Sequence, residues 1–130
     1  MANVEVKEDR RYTKDHEWAK SDGSEVVVGI TAYAIEQLGD ITLVNIDVAE
    51  GDAVEAGGVF GTVDSVKAVS ELFAPIAGKI TRINADLEDR PELLNEDCYD
   101  QGWLVAVEAA EAGDLDELLD ADGYAELCKE

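Results

Sequence analysis

One lysine stands out as a residue that could carry chemistry, because of the segment around it. Lys67 lies between two runs rich in β-branched and aromatic residues, 59–65 and 69–74, and the second run is followed by Pro75. Such runs predict two strands of a hairpin. The four turn residues, 65–68, include no glycine or asparagine to supply a positive φ, so we expect a type I turn rather than a primed one. The hairpin would present a primary amine at its tip, firmly held and accessible for amide formation.

A repeated segment on either side of Lys67 gives this lysine a particular place in the chain. Residues 39–45 recur 39 residues later as 78–84, with Gly, Ile, Thr and Asn at matching places. A lysine on a turn is most often only a solvated charge, and its spacing alone does not decide its role. A repeat within a small domain, however, indicates two similar β units that pack together, because neither could bury its apolar face alone. We expect half-units over 39–64 and 78–107, with Lys67 between them.

The other reactive side chains do not assemble a catalytic or metal site. His16 is the single histidine, and adjacent residues on a strand point to opposite faces, so His16 and Glu17 would not converge. Cys98 and Cys128 have neither metal-ligand spacing nor a disulfide framework, and we expect both to be reduced and structural. The sequence contains no phosphate-binding glycine loop and no nucleophile elbow. We therefore expect no catalytic residue, no metal and no independent enzymatic activity.

Local signals predict the elements that position the hairpin. Strands are expected over 12–19 and 25–30, joined by a turn at 21–24. Thr31 can cap a short helix that ends at Gly39.

The second half of the chain carries different signals. The acidic stretch 85–101 contains Pro91 and is expected to be a long loop. A capping pattern at Asp114 and an apolar stripe of leucines, 115, 118 and 119, predict a helical segment over 114–128 with an interruption at Gly123.

Seven short segments together resemble a known family. Their order and spacing carry the resemblance over nearly the whole chain, and they are 12–18, 28–34, 38–41, 65–68, 74–78, 95–97 and 102–104. The repeated half-barrel with a lysine on the joining hairpin resembles biotinyl and lipoyl carrier domains, and its details resemble the H proteins of the glycine cleavage system. Biotin carriers usually place methionines beside the lysine, where this chain has Val66 and Ala68. Two positions depart from the family: Cys98 replaces its usual proline, and Asp64 replaces its most frequent glutamate.

The resemblance implies a fold, a cofactor and partners. The fold would be mainly β, a pseudo-two-fold flattened barrel or sandwich (the lipoyl-domain hammerhead) with a short helix near 31–38 and C-terminal helices. Residues 1–130 would form a single lipoyl-carrier domain, flexible over 1–10, with lipoic acid on Lys67. It would carry the aminomethyl group of glycine from the pyridoxal-phosphate-dependent glycine decarboxylase to the tetrahydrofolate-dependent aminomethyltransferase, and electrons to dihydrolipoamide dehydrogenase. A lipoylating enzyme would be a further partner.

Acids near the lysine are a second implication of the resemblance. By position, Glu17, Glu71 and also Asp15 would dock the loaded arm by holding the aminomethyl nitrogen, and carboxylates would shield this cation from hydrolytic loss. The alternative is that they are ordinary solvent-facing acids. We expect Glu17 and Glu71 to be exposed, so that conversion to Gln costs within roughly 0.5 kcal/mol of stability.

Two other functions are compatible with the same residues. One is a lipoyl relay carrier from which other enzymes take their lipoyl groups, with the fold and Lys67 unchanged. The other is an interaction module that keeps the fold but is never modified.

The chain is strongly acidic. It carries 31 acids and 10 bases, a net charge of −21, and residues 86–130 alone hold 16 acids and 2 bases, or −14. Such a surface repels phosphates, which argues against nucleic acid and anionic membranes as partners. Because salt screens repulsion among acids, the composition also indicates a salt-adapted source.

The location of the protein is predicted from its apolar segments. No apolar run approaches the roughly 18 residues that span a bilayer. Residues 1–11 contain no apolar targeting segment and carry acids unlike those of a transit peptide. We expect a cytoplasmic protein, with the mitochondrial matrix as the alternative for a processed form.

Overall fold

The computed structural model describes residues 10–22, 25–99, 101–109 and 118–128. These residues form nine strands and four helices. In chain order they are β1 (Arg11–Tyr12), β2 (Glu17–Asp22), β3 (Glu25–Ile30), α1 (Ala32–Leu38), β4 (Ile41–Ile46), β5 (Ala53–Val54), β6 (Val59–Ser65), β7 (Val69–Phe73), β8 (Gly78–Ile83), α2 (Asp86–Asp89), α3 (Leu93–Glu96), β9 (Val105–Ala109) and α4 (Ala121–Cys128). None of the helices in this part of the chain is both long and apolar enough to cross a bilayer.

Two antiparallel sheets contribute side chains to a common core. The larger sheet has the strand order β1-β2-β3-β9-β8-β5, and the smaller has the order β4-β6-β7. Buried residues from both sheets meet in one cluster, among them Val28, Phe60, Val63, Leu72 and Ile80. The predicted mainly β sandwich is confirmed, together with its short helix near residues 31–38, which is α1. Of the expected C-terminal helices, α4 lies within the described residues.

The repeated segments form β4 and β8, and the two strands share a distortion. The pairing of β4 with β6 shifts by one residue at Thr42, and the pairing of β8 with β9 shifts at Thr81. At both bulges the threonine hydroxyl oxygen lies 3.2 Å from a carbonyl oxygen of the neighbouring strand, that of Asp64 for Thr42 and that of Ala106 for Thr81. The Thr42 hydroxyl donates to this carbonyl, whereas the Thr81 hydroxyl lies closer to Glu25 Oε2, at 2.5 Å. The repeated threonine therefore places a polar group where the ladder is interrupted.

The hairpin predicted around Lys67 is confirmed. β6 and β7 pair antiparallel, beginning with Asp64 opposite Val69 next to the turn. Because successive side chains of a strand point to opposite faces, Leu72 is buried whereas Glu71 is exposed. Both strands belong to the smaller sheet, whereas the strands on either side of the hairpin, β5 and β8, belong to the larger one.

The stretch 85–101, expected as a long loop, contains the single-turn helices α2 and α3. Pro91 lies between them. Leu87, Leu93 and Leu94 are buried in the main core, so apolar contacts fix this stretch in spite of its many acids.

The C-terminal helix is shorter than predicted. α4 begins at Ala121 and includes Gly123, so the expected interruption at Gly123 is wrong. Leu119 precedes the helix and forms a β-bridge with Tyr12, through reciprocal backbone hydrogen bonds of 2.8 and 2.9 Å. Leu119 therefore pairs with β1 through its backbone and does not belong to the helix that the stripe of leucines predicted. The predicted cap at 114–117 lies outside the described residues.

Arg10 contradicts the expectation that residues 1–10 are flexible. Its side chain is buried, and its guanidinium lies 4.6 Å from the ring centroid of Trp18. The same group donates a hydrogen bond to the backbone carbonyl of Tyr99 over 2.8 Å. Residues 1–9 lie outside the described residues.

Candidate functional site

The turn that carries Lys67 is held by a serine side chain. The Ser65 hydroxyl accepts hydrogen bonds from the backbone N–H groups of Lys67 and Ala68, over 3.2 and 3.1 Å, and it donates to the Ala68 carbonyl over 3.1 Å. Ser/Thr side chains can replace backbone hydrogen bonds in this way. None of residues 65–68 has a positive φ, as the sequence predicted. Lys67 is exposed, so its amine is accessible on a backbone that is locally constrained.

The end of α1 lies beneath the lysine. Gly39 follows α1 with φ 81°, and a Cβ built there would lie 3.6 Å from Lys67 Cε and 3.5 Å from Val66 Cγ2. The lysine stem therefore runs along the Gly39 backbone. In addition, Val66 N–H donates to the carbonyl of Asp40 over 3.1 Å, which ties the turn to this segment.

Asn95 fixes that segment from the other side, a role that the sequence did not predict. Its Nδ2 donates to the carbonyl of Gly39 over 3.0 Å, and its Oδ1 accepts from Ile41 N–H over 2.8 Å. Asn95 belongs to residues 95–97, one of the seven segments that carry the resemblance, so the resemblance could have pointed to this residue. Its partners lie more than 50 residues away, and only the fold shows them.

Exposed apolar side chains surround the turn. Val66 and Val69 are 66% and 68% exposed, and Leu43 on β4 is also exposed. Leu43 pairs with Asp64, which pairs in turn with Val69, so the three residues form one row across the smaller sheet. Cross-strand neighbours of this kind share a face. The amine of Lys67 is thus bordered by an accessible apolar surface.

Glu17 is buried, which corrects the expectation that it would be exposed. Only 2% of the residue is accessible. Its Oε2 accepts a hydrogen bond from the backbone N–H of Phe73 on β7 over 2.5 Å. The other oxygen, Oε1, is buried and has no hydrogen-bond partner.

The environment of Glu17 changes its acidity. Burial raises the pKa of Glu17 to about 8, because the ionised form is poorly solvated. The Phe73 N–H acts in the opposite direction, and the negative charge of Asp15 raises the pKa further. At neutral pH the isolated domain therefore holds a largely protonated carboxyl group at this position.

The other two predicted acids are exposed. Glu71 lies on β7, two residues before Phe73, so its side chain is on the same face of that strand as the Phe73 side chain. Asp15 lies in the turn between β1 and β2, where its N–H donates to the Thr13 hydroxyl over 3.2 Å. The fold thus brings Glu17 to the strand that carries Glu71, whereas Asp15 acts on Glu17 through its charge.

His16 and Glu17 have different partners, although not for the predicted reason, because His16 lies in the turn before β2 with φ 67° and not on a strand. The His16 ring stacks on Tyr33 with 4.5 Å between centroids, and its Nδ1 lies 2.8 Å from the hydroxyl oxygen of Tyr124. Burial lowers the pKa of His16. Among the described residues, no group of three or more His, Cys, Asp or Glu side chains could hold a metal ion. The groups of this surface that can carry chemistry are the exposed amine of Lys67 and the buried carboxyl of Glu17 on β2, which accepts from Phe73 N–H of β7.

Comparison with known proteins gives one consistent family. The family model described as Glycine cleavage H-protein matches residues 10–130. A glycine cleavage system H protein of Anaeromyxobacter sp. (strain K) is 50% identical over 128 residues, which cover 98% of each chain. One of Bacteroides fragilis is 53% identical over 114 residues, covering 88% of this chain and 90% of the relative.

A solved structure agrees with the sequence comparison. The crystal structure of a glycine cleavage system H protein from Mycobacterium marinum superimposes with a TM-score of 0.86 at 39% sequence identity. The match covers 96% of this chain and 100% of that chain.

Proposed function

The chain belongs to the glycine cleavage H-protein family, and we propose that Lys67 is the residue to which its lipoyl group is attached. The protein is a carrier subunit of the glycine cleavage system and not an enzyme. The observation that supports the proposal is the turn at 65–68, which presents an exposed amine on a backbone fixed by Ser65.

The residues around Lys67 suit a group bound through an amide. Acylation would remove the positive charge of the lysine and change the formal net charge from −21 to −22. When bound, the lipoyl group would supply a dithiolane disulfide, one sulfur of which can take up the aminomethyl group of glycine as the carboxyl carbon leaves as carbon dioxide, and which becomes a dithiol once that group is passed on. Gly39 lies beside the lysine stem with φ 81°, where any larger residue would be strained, although its Cβ would make only ordinary van der Waals contact with Lys67 Cε.

The surface around the turn fits transient protein partners. We propose that Val66, Val69 and Leu43 contact each enzyme that must reach the lysine. These are the decarboxylase, the aminomethyltransferase, dihydrolipoamide dehydrogenase and the lipoylating enzyme. Exposed apolar groups of this size are typical of binding surfaces.

We further propose that Glu17 holds the cationic nitrogen of the aminomethyl cargo. Its buried Oε1 has no hydrogen-bond partner, although buried polar atoms normally have one. A nearby ammonium favours the ionised carboxylate, so we expect Glu17 to release a proton when the cargo docks. Glu71 and Asp15 would add negative potential from their exposed positions. The carboxylate of Glu17 would lie out of bulk water and accept a hydrogen bond from the backbone. An ammonium is held more strongly by such a carboxylate than by one in water.

Removal of the Glu17 charge should speed the hydrolytic loss of the aminomethyl group. In the lipoylated protein, we expect Glu17→Gln to raise the loss rate by roughly tenfold, consistent with the strength of hydrogen bonds to charged groups. Glu71→Gln should raise it less, because Glu71 is exposed. The rate is measured as the decay of loaded carrier, followed by intact mass in the absence of the partner enzymes.

Glu88→Gln on α2 is a control matched to Glu71→Gln, since each removes one exposed acid. Its loss rate should equal that of the parent protein. Equal rates in the parent and the Glu17→Gln variant would reject the proposed role of Glu17.

We also propose a cytoplasmic, salt-adapted protein, because its relatives are bacterial and its acids outnumber its bases by 31 to 10.

The stability of the protein should depend on salt. Most acids have no base to pair with, so electrostatic repulsion should be strongest in the segment from Asp86 onward, which carries a net charge of −14. KCl should raise the melting temperature steeply up to about 1 M, where the Debye length is about 3 Å, and less above it. Each kcal/mol of relieved repulsion corresponds to about 4 °C.

The experiment is a thermal unfolding series from about 0.1 to 3 M KCl, because sulfate would also strengthen hydrophobic burial. A melting temperature that stays flat or falls over this series would contradict salt adaptation.

A further inference from the structure

The backbone immediately before Glu17 is strained. His16 has φ 67° and is the one non-glycine residue with a positive φ in the described part of the chain. This conformation is costly for an L-residue and persists only where surrounding contacts enforce it. Since His16 sets the direction in which the chain enters β2, its conformation also sets where the Glu17 carboxyl lies.

Two sets of contacts hold His16 in this conformation. Its backbone carbonyl accepts from Thr31 N–H over 3.0 Å, and its own N–H donates to the carbonyl of Thr13 over 3.1 Å. Its ring lies between Tyr33, on which it stacks, and Tyr124, which it meets edge-on.

Tyr124 joins these contacts through one hydroxyl. The Tyr124 oxygen lies 2.8 Å from His16 Nδ1 and 2.6 Å from the Thr31 hydroxyl oxygen. The residue is fully buried, and its ring stacks on Tyr12 with centroids 4.6 Å apart. A phenol carries one proton, so it donates to one of its two neighbours and accepts from the other.

The same hydroxyl reaches the helix beneath the lysine. Thr31 is the N-cap of α1, and its side-chain oxygen accepts from Ala34 N–H over 3.2 Å. α1 ends at Gly39, along which the Lys67 stem runs. Tyr124 therefore contacts both the turn leading to Glu17 and the start of α1, the helix whose end borders Lys67.

We propose that Tyr124 is a positioning residue for cargo protection, whose hydroxyl holds the strained His16 backbone so that the Glu17 carboxyl stays on the Phe73 N–H. This inference rests on the proposed role of Glu17. It makes the C-terminal helix part of the carrier site rather than only a covering for the core. No contact between Tyr124 and Glu17 themselves is required, because the effect passes through His16 and Thr31.

The test compares Tyr124→Phe with Tyr99→Phe in the full-length protein. Both changes remove one hydroxyl from a buried tyrosine of the same aromatic cluster, but the Tyr99 hydroxyl accepts from Ala32 N–H and does not touch His16. The first measurement uses the unlipoylated protein and follows amide hydrogen exchange at Phe73, whose N–H donates to Glu17. We expect about tenfold faster exchange at Phe73 in Tyr124→Phe, consistent with loss of one hydrogen bond's stabilisation. Exchange in β3, a core strand, should change equally in the two variants.

The second measurement follows decay of the loaded carrier. Tyr124→Phe should lose its cargo faster than Tyr99→Phe, and by no more than Glu17→Gln. His16→Phe should behave like Tyr124→Phe, since it keeps a ring between Tyr33 and Tyr124 but removes the ring nitrogen that meets the Tyr124 hydroxyl. It therefore serves as the second variant if Tyr124→Phe folds poorly.

The outcomes separate this inference from the proposed function. If Phe73 exchange is unchanged in both Tyr124→Phe and His16→Phe, the positioning role is rejected whatever Glu17 does. If Phe73 exchange rises but Glu17→Gln does not speed cargo loss, the proposed role of Glu17 fails, and the cargo-protecting role of Tyr124 fails with it. Equal effects of Tyr99→Phe and Tyr124→Phe on Phe73 would also overturn the proposal, because they would show a general loosening of the cluster.

Discussion

Lys67→Arg should abolish lipoylation completely. Arginine keeps the positive charge and most of the length of the side chain, but its guanidinium stays protonated and cannot serve as the amine in an amide bond. The turn itself should be unaffected, because it is held by Ser65 and the backbone rather than by the lysine side chain. The variant is incubated with lipoate, the lipoylating enzyme and the co-substrate of that enzyme, and its intact mass is compared with that of the parent protein.

Lys79→Arg is the matched control. Lys79 is also exposed, but it lies on β8 opposite Glu108, within a regular part of the larger sheet. It should be modified as fully as the parent protein, because the lysine at the hairpin tip is retained. A mass increment that persists in Lys67→Arg would refute the attachment site. An intact mass without the increment, for protein purified from its native cell, would instead favour an unmodified interaction module.

The hairpin around Lys67 could be predicted because its signals are local. Residues 59–65 and 69–73 are rich in β-branched and aromatic residues, and the intervening turn needs no positive φ. The helix that is capped by Thr31 and ends at Gly39 could be predicted for the same reason, since both signals lie within one short segment.

The environment of Glu17 could not be predicted in the same way. An acid beside a tryptophan at the start of a strand gives no local sign of burial. The decisive contact is with Phe73 N–H, 56 residues later in the chain, and it exists only because the end of β7 in the smaller sheet lies against the start of β2 in the larger. Tyr124 lies even farther from Glu17 along the chain, and the only signal around it in the sequence was the apolar spacing of an amphipathic helix.

The wrong prediction of the C-terminal helix also results from a contact between distant parts of the chain. Leu118 and Leu119 fit a helical stripe by spacing, but the backbone of Tyr12 on the short edge strand β1 pairs with that of Leu119. Tertiary pairing outweighed local propensity, which is a weak determinant over a few residues.

The pH dependence of stability should reveal the buried carboxyl of Glu17. In the folded protein its pKa is about 8, raised by burial from an ordinary value of 4.5. Between these two values the unfolded chain has lost the proton and the folded chain has kept it. The folded state therefore binds more protons, and the free energy of unfolding falls as pH rises through this window. Each unit of pKa difference corresponds to about 1.4 kcal/mol, so the total loss is on the order of a few kcal/mol.

Glu17→Gln isolates this contribution, because an amide has no proton to lose in this range. We expect the variant to lie close to the parent protein in stability near pH 5 and to become relatively more stable as pH rises to about 9. The difference between the two proteins removes the contribution of His16, whose lowered pKa gives the opposite slope near pH 6.

Glu25→Gln provides a control that should not change over this range. A hydrogen bond from the Thr81 hydroxyl, together with Arg82, lowers the pKa of Glu25 below its ordinary 4.5, so its contribution to stability is lost only at more acidic pH and its difference from the parent protein should stay constant here. The measurement is denaturant unfolding of the unlipoylated proteins at constant ionic strength from about pH 5 to 9. A constant difference between the parent and Glu17→Gln across this range would show that Glu17 is ionised throughout, and docking of the cationic cargo would then release no proton from it.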